Sequence, residues 1–276
     1  MVKLNSGYDI PALGLGVYLV PQEDAATVVY NALKIGYRHI DTAQVYKNEH
    51  ESAQGLLKWI NEGLGKRSEV FFTTKVGSPE GYDHVVQVVN ESLEKTKGLE
   101  YLDLVLIHSP LTDKEKRIAS WKALQDLKDK GLIRSIGVSN YGNHHIKELE
   151  EWDGLKYLPA VNQIEINPWL RREDITKYDL NLGIQIEAYS PLTRGYRLKD
   201  PELAKIAKKY NKSPAQILIK WSLQQGNIVL VKSNSEARQL ENFEVQDWEL
   251  SKEDLDFFAD EYYVSHKAWD PVTYQG

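Results

Sequence analysis

An acid and a phenol stand five residues apart in the stretch GYRHIDTAQVYKNE, which covers residues 36–49. They are Asp41 and Tyr46. A phenol with a pKa of about 10 exchanges protons poorly at neutral pH unless a nearby ammonium favours its ionised form. Lys75 offers that ammonium, and Asp41 would hold it charged and in place. His108 adds an imidazole that could orient an oxygen by hydrogen bonding. Together these side chains predict proton transfer to a carbonyl oxygen.

Each of these residues also has an ordinary structural interpretation. Asp41 could cap the helix that follows it, and Lys75 could be a solvated loop charge. His108 follows an apolar run, where a lone histidine is often a hydrogen-bonded structural residue. Their joint occurrence at the ends of successive predicted strands favours a catalytic site instead. The set contains no source of hydride, and the chain has no cysteine for redox chemistry. The chemistry therefore requires a diffusible nicotinamide cofactor.

The candidate catalytic residues lie in a chain whose short apolar runs alternate with helical patterns. The strands and helices that these patterns predict must position the side chains. Eight runs are predicted as strands: residues 13–19, 37–41, 70–76, 101–107, 132–138, 160–166, 184–188 and 228–231. A helical pattern follows each strand, and residues 2–10 predict a β-hairpin that precedes them. Helix starts are predicted at Asp83, at Asp200-Pro201, at the capping box of Ser213 and Gln216, and at Ser251.

Eight strand–helix units predict a closed (β/α)₈ TIM barrel with an N-terminal β-hairpin and extra C-terminal helices. The expected domain organisation is one barrel domain over residues 1–276. An open doubly wound sheet is the alternative, and it usually carries G-x-G-x-x-G after its first strand. Here Gly14-Leu15-Gly16 runs into Tyr18 and Leu19, so that fingerprint is absent.

Composition narrows the classes of function. The net charge is −6, which argues against general binding of nucleic acid. Without cysteine, thiolate metal sites are excluded, and no metal is expected. The chain shows no signal-peptide core and no apolar stretch long enough to span a membrane, so we expect a cytoplasmic protein with no membrane partner. No exposed heptad or large apolar stripe stands out, and a monomer is the default expectation.

Several motifs of the chain are similar, in order and along nearly its whole length, to those of the aldo-keto reductases. GYRHIDTAQVYKNE resembles the first signature of that family. The later ones are LIHSP at 106–110, GVSNY at 137–141, VNQIE at 161–165, AYSPL at 188–192, and LVKSN at 230–234 leading to Arg238 and Asn242. Within the family, the chain looks nearest to small fungal or bacterial aldose, xylose and 2,5-diketogluconate-type reductases.

The resemblance implies roles for individual residues. Tyr46 would be the proton donor, Lys75 would lower its pKa, Asp41 would partner Lys75, and His108 would orient the carbonyl. Around the cofactor, the resemblance implies Ser139, Asn140 and Gln163 at the nicotinamide carboxamide, Tyr189 stacked on the ring, Ser190 and Leu192 from the AYSPL motif, Lys232, Ser233, Asn234 and Arg238 at the adenosine 2′-phosphate, and Asn242 at the adenine.

The 2′-phosphate site can also be argued from the residues themselves. Lys232, Ser233 and Arg238 place two cations and a hydroxyl within seven residues, just after the last predicted strand. Such a group suits a phosphate dianion, although it could also be a solvated loop. We therefore expect NADPH as the cofactor, with NADH possible but weaker.

Departures from the family pattern concern the substrate pocket. Family members often have tryptophan where this chain has Ser109 and Tyr18. Ser109 removes a large apolar surface, while Trp269 in the C-terminal tail could still line the pocket. The resemblance implies a small-molecule carbonyl substrate, and we expect aldoses, small aldehydes, diketones or keto esters.

Two other functions remain open at this point. One is a non-catalytic, NADPH-binding regulatory subunit of the same fold. The other is a metal- or Schiff-base-dependent lyase that uses Lys75. The complete set of Asp41, Tyr46, Lys75 and His108 disfavours the first, and the predicted 2′-phosphate site disfavours the second.

Overall fold

Eight parallel strands close into a barrel in the computed structural model, which describes residues 1–77, 79–266 and 269–276. The strands are β1 Val2–Lys3, β2 Asp9–Ile10, β3 Leu13–Gly16, β4 His39–Asp41, β5 Phe71–Val76, β6 Leu102–Ile107, β7 Ile133–Ser139, β8 Val161–Glu165, β9 Gln185–Tyr189 and β10 Ile228–Val231. The barrel runs from β3 to β10 in chain order, and β10 pairs with β3 to close it. The predicted (β/α)₈ class is confirmed.

Helices surround the barrel and return the chain between parallel strands. They are α1 Gln22–Ile35, α2 Glu49–Asn61, α3 Tyr82–Lys95, α4 Lys114–Asp129, α5 Asn143–Glu150, α6 Glu173–Asn181, α7 Pro201–Tyr210, α8 Pro214–Gln224, α9 Glu236–Phe243 and α10 Lys252–Asp256. No described helix is long and apolar enough to cross a membrane.

The local signals for helix starts mostly agree with the structure. The Asp200 side chain accepts N–H bonds at the start of α7, and Ser213 and Gln216 form the predicted capping box of α8. Ser251 caps α10. The prediction that Asp83 caps a helix is wrong, because α3 begins at Tyr82 and Gly81 takes the cap position.

Two element predictions differ from the structure. The first barrel strand ends at Gly16 rather than at residue 19, and the side chains of Tyr18 and Leu19 are largely exposed. Helix α9, which follows the last strand, was not predicted. Its buried residues are Gln239 and Asn242, so it lacks the apolar periodicity that marks an amphipathic helix.

The N-terminal hairpin, β1 paired with β2, closes one end of the barrel. Leu4 and Ile10 are buried there in one apolar cluster with Phe71, Val161 and Ile228, the first residues of their strands. The amino ends of the strands are thus filled by apolar side chains. The polar side chains that point into the barrel therefore lie towards the carboxyl ends of the strands, where barrel enzymes have their active sites.

Candidate functional site

A buried ion pair between adjacent strands is the centre of the site. Asp41 ends β4, and Lys75 lies on β5, with its side chain fully buried. The Lys75 Nζ lies 2.6 Å from Asp41 Oδ1 and donates to the Thr42 carbonyl at 2.9 Å and to the Tyr46 hydroxyl oxygen at 3.3 Å. Three donors therefore meet three acceptors, which is what a buried ammonium requires.

The charges of this pair follow from those contacts. Burial lowers the pKa of Lys75, but the charge of Asp41 raises it above its ordinary value overall. Burial raises the pKa of Asp41, whereas Lys75 and Gln163 lower it. Because the Asp41 carboxylate accepts bonds from both of those donors, we assign the charged form to both members of the pair.

Tyr46 ends a short 3₁₀ turn, Gln44–Tyr46, that follows β4. Its ring lies between the rings of Tyr18 and His108, at centroid distances of 5.1 and 5.6 Å. Burial raises the pKa of Tyr46 to about 12, although Lys75 lowers it. Lys75 thus acts on this pKa in the predicted direction, but burial outweighs its effect. The phenol stays protonated at neutral pH, and the contact with Lys75 favours the phenolate that would remain after it gives up its proton.

His108 is the first residue after β6, and its backbone N–H donates to the carbonyl of Val76 on β5. Burial lowers the pKa of His108 to about 3, and the charge of Lys75 acts in the same direction. The imidazole is therefore neutral. It can donate a hydrogen bond to an oxygen, but it has no additional proton to transfer.

Hydrogen bonds join the residues at the carboxyl ends of β7, β8 and β9. Asn140, in a left-handed conformation at φ 62°, donates through Nδ2 to the His108 carbonyl at 2.9 Å. Its Oδ1 accepts from the Tyr189 hydroxyl at 2.8 Å. Ser139 donates its hydroxyl to the Gln163 carbonyl at 2.7 Å. The structure thus brings the predicted nicotinamide residues together with the four predicted catalytic residues.

Gln163 carries a contact that the sequence did not suggest. Its Nε2 donates to Asp41 Oδ2 at 2.9 Å and to Glu187 Oε2 at 2.8 Å. Glu187 in turn lies 3.3 Å from His39, and both side chains are fully buried. The one sequence sign of Glu187 is an acid between the apolar residues Ile186 and Ala188 in a predicted strand.

The residues predicted for the adenosine end lie around the start of α9. Lys232 and Arg238 are exposed and close enough that Arg238 contributes, after burial, to a lowered pKa of Lys232. In the described part of the chain, no salt bridge joins either cation to a carboxylate. Ser233 is buried, Asn234 is exposed, and Asn242 is buried on α9.

The remaining predicted residues lie along the rim. Ser190 has a left-handed backbone at φ 51°, and Leu192 packs against the two larger apolar clusters. Tyr18 is 46% exposed and Trp269 is 36% exposed, whereas Ser109 is buried. No group of three or more metal-ligating side chains occurs among the residues that the structure describes.

This barrel, with a buried Lys–Asp pair beside a protonated phenol at the carboxyl ends of its strands, has the architecture of a barrel oxidoreductase. The model of the aldo/keto reductase family matches residues 12–260. The chain belongs to this family and is an NAD(P)H-dependent oxidoreductase. Its carbonyl-reducing chemistry uses a nicotinamide cofactor.

Relatives support the same assignment. An uncharacterised oxidoreductase of Saccharomyces cerevisiae is 44% identical over 258 residues, covering 92% of both chains. A glyoxal reductase of Bacillus subtilis is 44% identical over 257 residues, covering 92% of this chain and 90% of that protein. The crystal structure of a Bombyx mori aldo-keto reductase in complex with NADP has a TM-score of 0.88 and 34% identity, covering 98% of this chain and 97% of that one.

Proposed function

We propose that the protein reduces small aldehydes and ketones with NADPH and that Tyr46 donates the proton. The observation that carries this proposal is the contact of the Tyr46 hydroxyl with Lys75 Nζ at 3.3 Å, inside a site where Asp41 and Thr42 hold the same ammonium. The cofactor supplies the hydride. Tyr46 gives its proton to the carbonyl oxygen as negative charge develops there, and Lys75 stabilises the phenolate that remains.

His108 completes the proposed site as a neutral hydrogen-bond donor to the substrate oxygen. Its ring packs edge-on against that of Tyr46, with the two ring centroids 5.6 Å apart. The Asn140 amide, bonded to the His108 carbonyl, couples this position to the proposed nicotinamide residues.

The preference for NADPH rests on the start of α9. Lys232 and Arg238 are two neighbouring cations, and the Ser235 side chain caps the helix beside them. A helix N-terminus flanked by cations favours a phosphate dianion. Ser233, Asn234 and Asn242 complete the proposed adenosine end.

Small substrates are proposed because few large apolar side chains line the proposed pocket. Ser109 leaves out an aromatic surface beside His108, and the Tyr18 side chain is nearly half exposed. The glyoxal reductase of Bacillus subtilis, at 44% identity, is consistent with a small dicarbonyl as substrate. Trp269 would form the tail side of the same pocket.

Neither alternative function gains support from the geometry. A Schiff-base lyase needs an uncharged amine, whereas Lys75 is charged and uses all three of its N–H bonds. A non-catalytic subunit has no need for a protonated phenol beside a buried ammonium.

Turnover of a small carbonyl tests the proposal. The wild-type protein should oxidise NADPH in the presence of glyoxal, methylglyoxal or glyceraldehyde, and NADH more slowly. Tyr46→Phe should lower kcat by about a thousandfold, because it removes the acid but keeps the ring. NADPH binding, measured by quenching of protein fluorescence, should be unchanged in that variant. Full activity of Tyr46→Phe would contradict the proposed proton donor.

A further inference from the structure

Glu187 is a buried acid in the middle of β9 that no step of the proposed reaction uses. Its carboxyl group lies inside the barrel and is fully buried. The titratable and charged groups that face it are His39 and Asp41 from β4 and Lys75 from β5, and the Gln163 amide faces it from β8. Glu187 therefore lies within the network that holds the proposed catalytic residues.

The contacts of Gln163 show what Glu187 does in that network. Asp41 and Glu187 take the two N–H bonds of the Gln163 amide, at 2.9 and 2.8 Å. An amide nitrogen must face these two carboxyl groups because each offers an acceptor oxygen. The orientation of the amide is thereby fixed, and the side-chain oxygen of Gln163, which accepts no hydrogen bond from the described residues, remains for another partner.

His39 lies beside the other carboxyl oxygen of Glu187, Oε1, which makes no hydrogen bond among the described residues. The Nε2 of His39 lies 3.3 Å from Glu187 Oε1 and 3.2 Å from the hydroxyl oxygen of Thr73. Burial lowers the pKa of His39 to about 3, so the ring is neutral. Burial and the charge of Asp41 raise the pKa of Glu187 to about 8, against smaller opposing effects of Gln163 and Lys75. At neutral pH the carboxyl group is thus mainly protonated, and its Oε2 still accepts from Gln163.

We propose that Glu187 is a positioning residue that fixes the Gln163 amide and through it the nicotinamide end of the cofactor site. The inference rests on the proposed function, because it takes the free Gln163 oxygen as the partner of the nicotinamide carboxamide. Glu187 itself touches neither cofactor nor substrate. Its loss leaves one N–H of a buried amide without a partner and frees the amide to turn.

Two ligands separate this role from a general effect on folding. NADPH reaches both ends of the cofactor site, whereas adenosine 2′,5′-bisphosphate reaches only the adenosine end. Glu187→Leu should weaken NADPH binding roughly tenfold and leave the bisphosphate affinity unchanged. Glu187→Gln should bind both ligands as the wild type does, because the new amide keeps an acceptor oxygen for the Gln163 N–H.

Asp179 offers a matched control. It is also a buried acid, with a pKa raised by burial to about 7, and it accepts from the Asn162 amide at 2.7 Å. It lies on α6, and Asn162 precedes Gln163 on β8 but faces outward. Asp179→Leu should leave both affinities unchanged, even if the protein becomes less stable.

Three results would overturn the inference. Wild-type NADPH affinity in Glu187→Leu would show that Gln163 needs no such support. Equal losses for NADPH and the bisphosphate would show a general structural effect. Impaired NADPH binding in Glu187→Gln would show that the contact with the Gln163 amide does not account for the effect of Glu187. Failure of the wild-type protein to bind NADPH at all would overturn the proposed function itself.

Discussion

Burial sets the protonation states of Tyr46 and His108. These states predict how the rate of reduction depends on pH. The proposed reduction needs Tyr46 protonated, and its pKa of about 12 keeps it so throughout the neutral range. His108 would gain a proton only as the pH falls towards its pKa of about 3. The single-turnover rate of reduction should therefore change less than about twofold between pH 6 and pH 7. A rate that falls with acid around pH 6.5 would show that His108 titrates at its ordinary pKa.

At the residue scale, the sequence predicts the types of side chain but not their ionisation. Asp41, Tyr46, Lys75 and His108 stand out because polar residues follow apolar strands. The direction of the Tyr46 pKa depends on how deeply the ring is buried, which no motif encodes. His39 and Glu187 escaped prediction for a related reason, since each occupies a position inside a short strand where an apolar residue is expected.

At the element scale, the two glycines of strand β3 differ in how closely other residues pack against them. A Cβ at Gly14 would lie 2.6 Å from His39 Nδ1 and 2.8 Å from Leu230 Cδ2, so both of these side chains must move. A Cβ at Gly16 would meet only the Val231 carbonyl oxygen at 3.9 Å. Gly14→Ala should lower the free energy of unfolding by about 1–3 kcal/mol, and Gly16→Ala by less than about 1 kcal/mol. Equal effects in urea unfolding would contradict the steric argument.

The cations at the start of helix α9 predict a preference for NADPH over NADH. Arg238 in its first turn lies close to Lys232, in the place proposed for the 2′-phosphate. Arg238→Ala should raise the Kd of NADPH by roughly tenfold to a hundredfold and change that of NADH by less than about twofold. Lys252→Ala, which removes an exposed cation on α10, is the control and should affect neither. Equal losses for both cofactors would contradict the 2′-phosphate site.

Sequence patterns predicted those elements whose buried faces are apolar. The barrel strands and α1, with Val28, Val29, Ala32 and Leu33 buried, follow this rule. Helix α9 does not, because its buried face carries Gln239 and Asn242. The Gln239 side chain donates to backbone carbonyls of Val28 and Ser233, so it links α1 to the loop after β10. Contacts of this kind are set by tertiary structure, and the local sequence does not show them.

At the scale of the whole molecule, the two termini lie at opposite ends of the barrel. The N-terminal hairpin fills the amino ends of the strands, while the C-terminal tail lies against the loops at their carboxyl ends. The backbone N–H of Ser265 donates to Glu165, the last residue of β8, at 2.8 Å. The eight-unit repeat predicts the barrel, but the path of an irregular tail depends on these single contacts.

Arg172 is the main anchor of that tail and supports the last prediction. Its buried guanidinium pairs with Asp270 and donates to the Tyr262 hydroxyl at 2.9 Å, and that hydroxyl donates to Asp270. Trp269, next to Asp270, lies close enough to the Tyr189 hydroxyl to lower its pKa, which burial raises. The pairing of Arg172 and Asp270 thus holds one wall of the proposed pocket against the proposed nicotinamide residues.

Asp270→Ala should loosen this wall without reaching the tetrad of Asp41, Tyr46, Lys75 and His108. The KM for glyoxal should rise about fivefold, the equivalent of ~1 kcal/mol for one lost charged contact, while the Kd of NADPH changes little. Gln275→Ala is the control, since the Gln275 side chain is exposed and donates only to Thr273 within the tail. Steady-state kinetics with glyoxal and fluorescence titration with NADPH give both quantities. An unchanged KM in Asp270→Ala would mean that the tail takes no part in holding the carbonyl substrate.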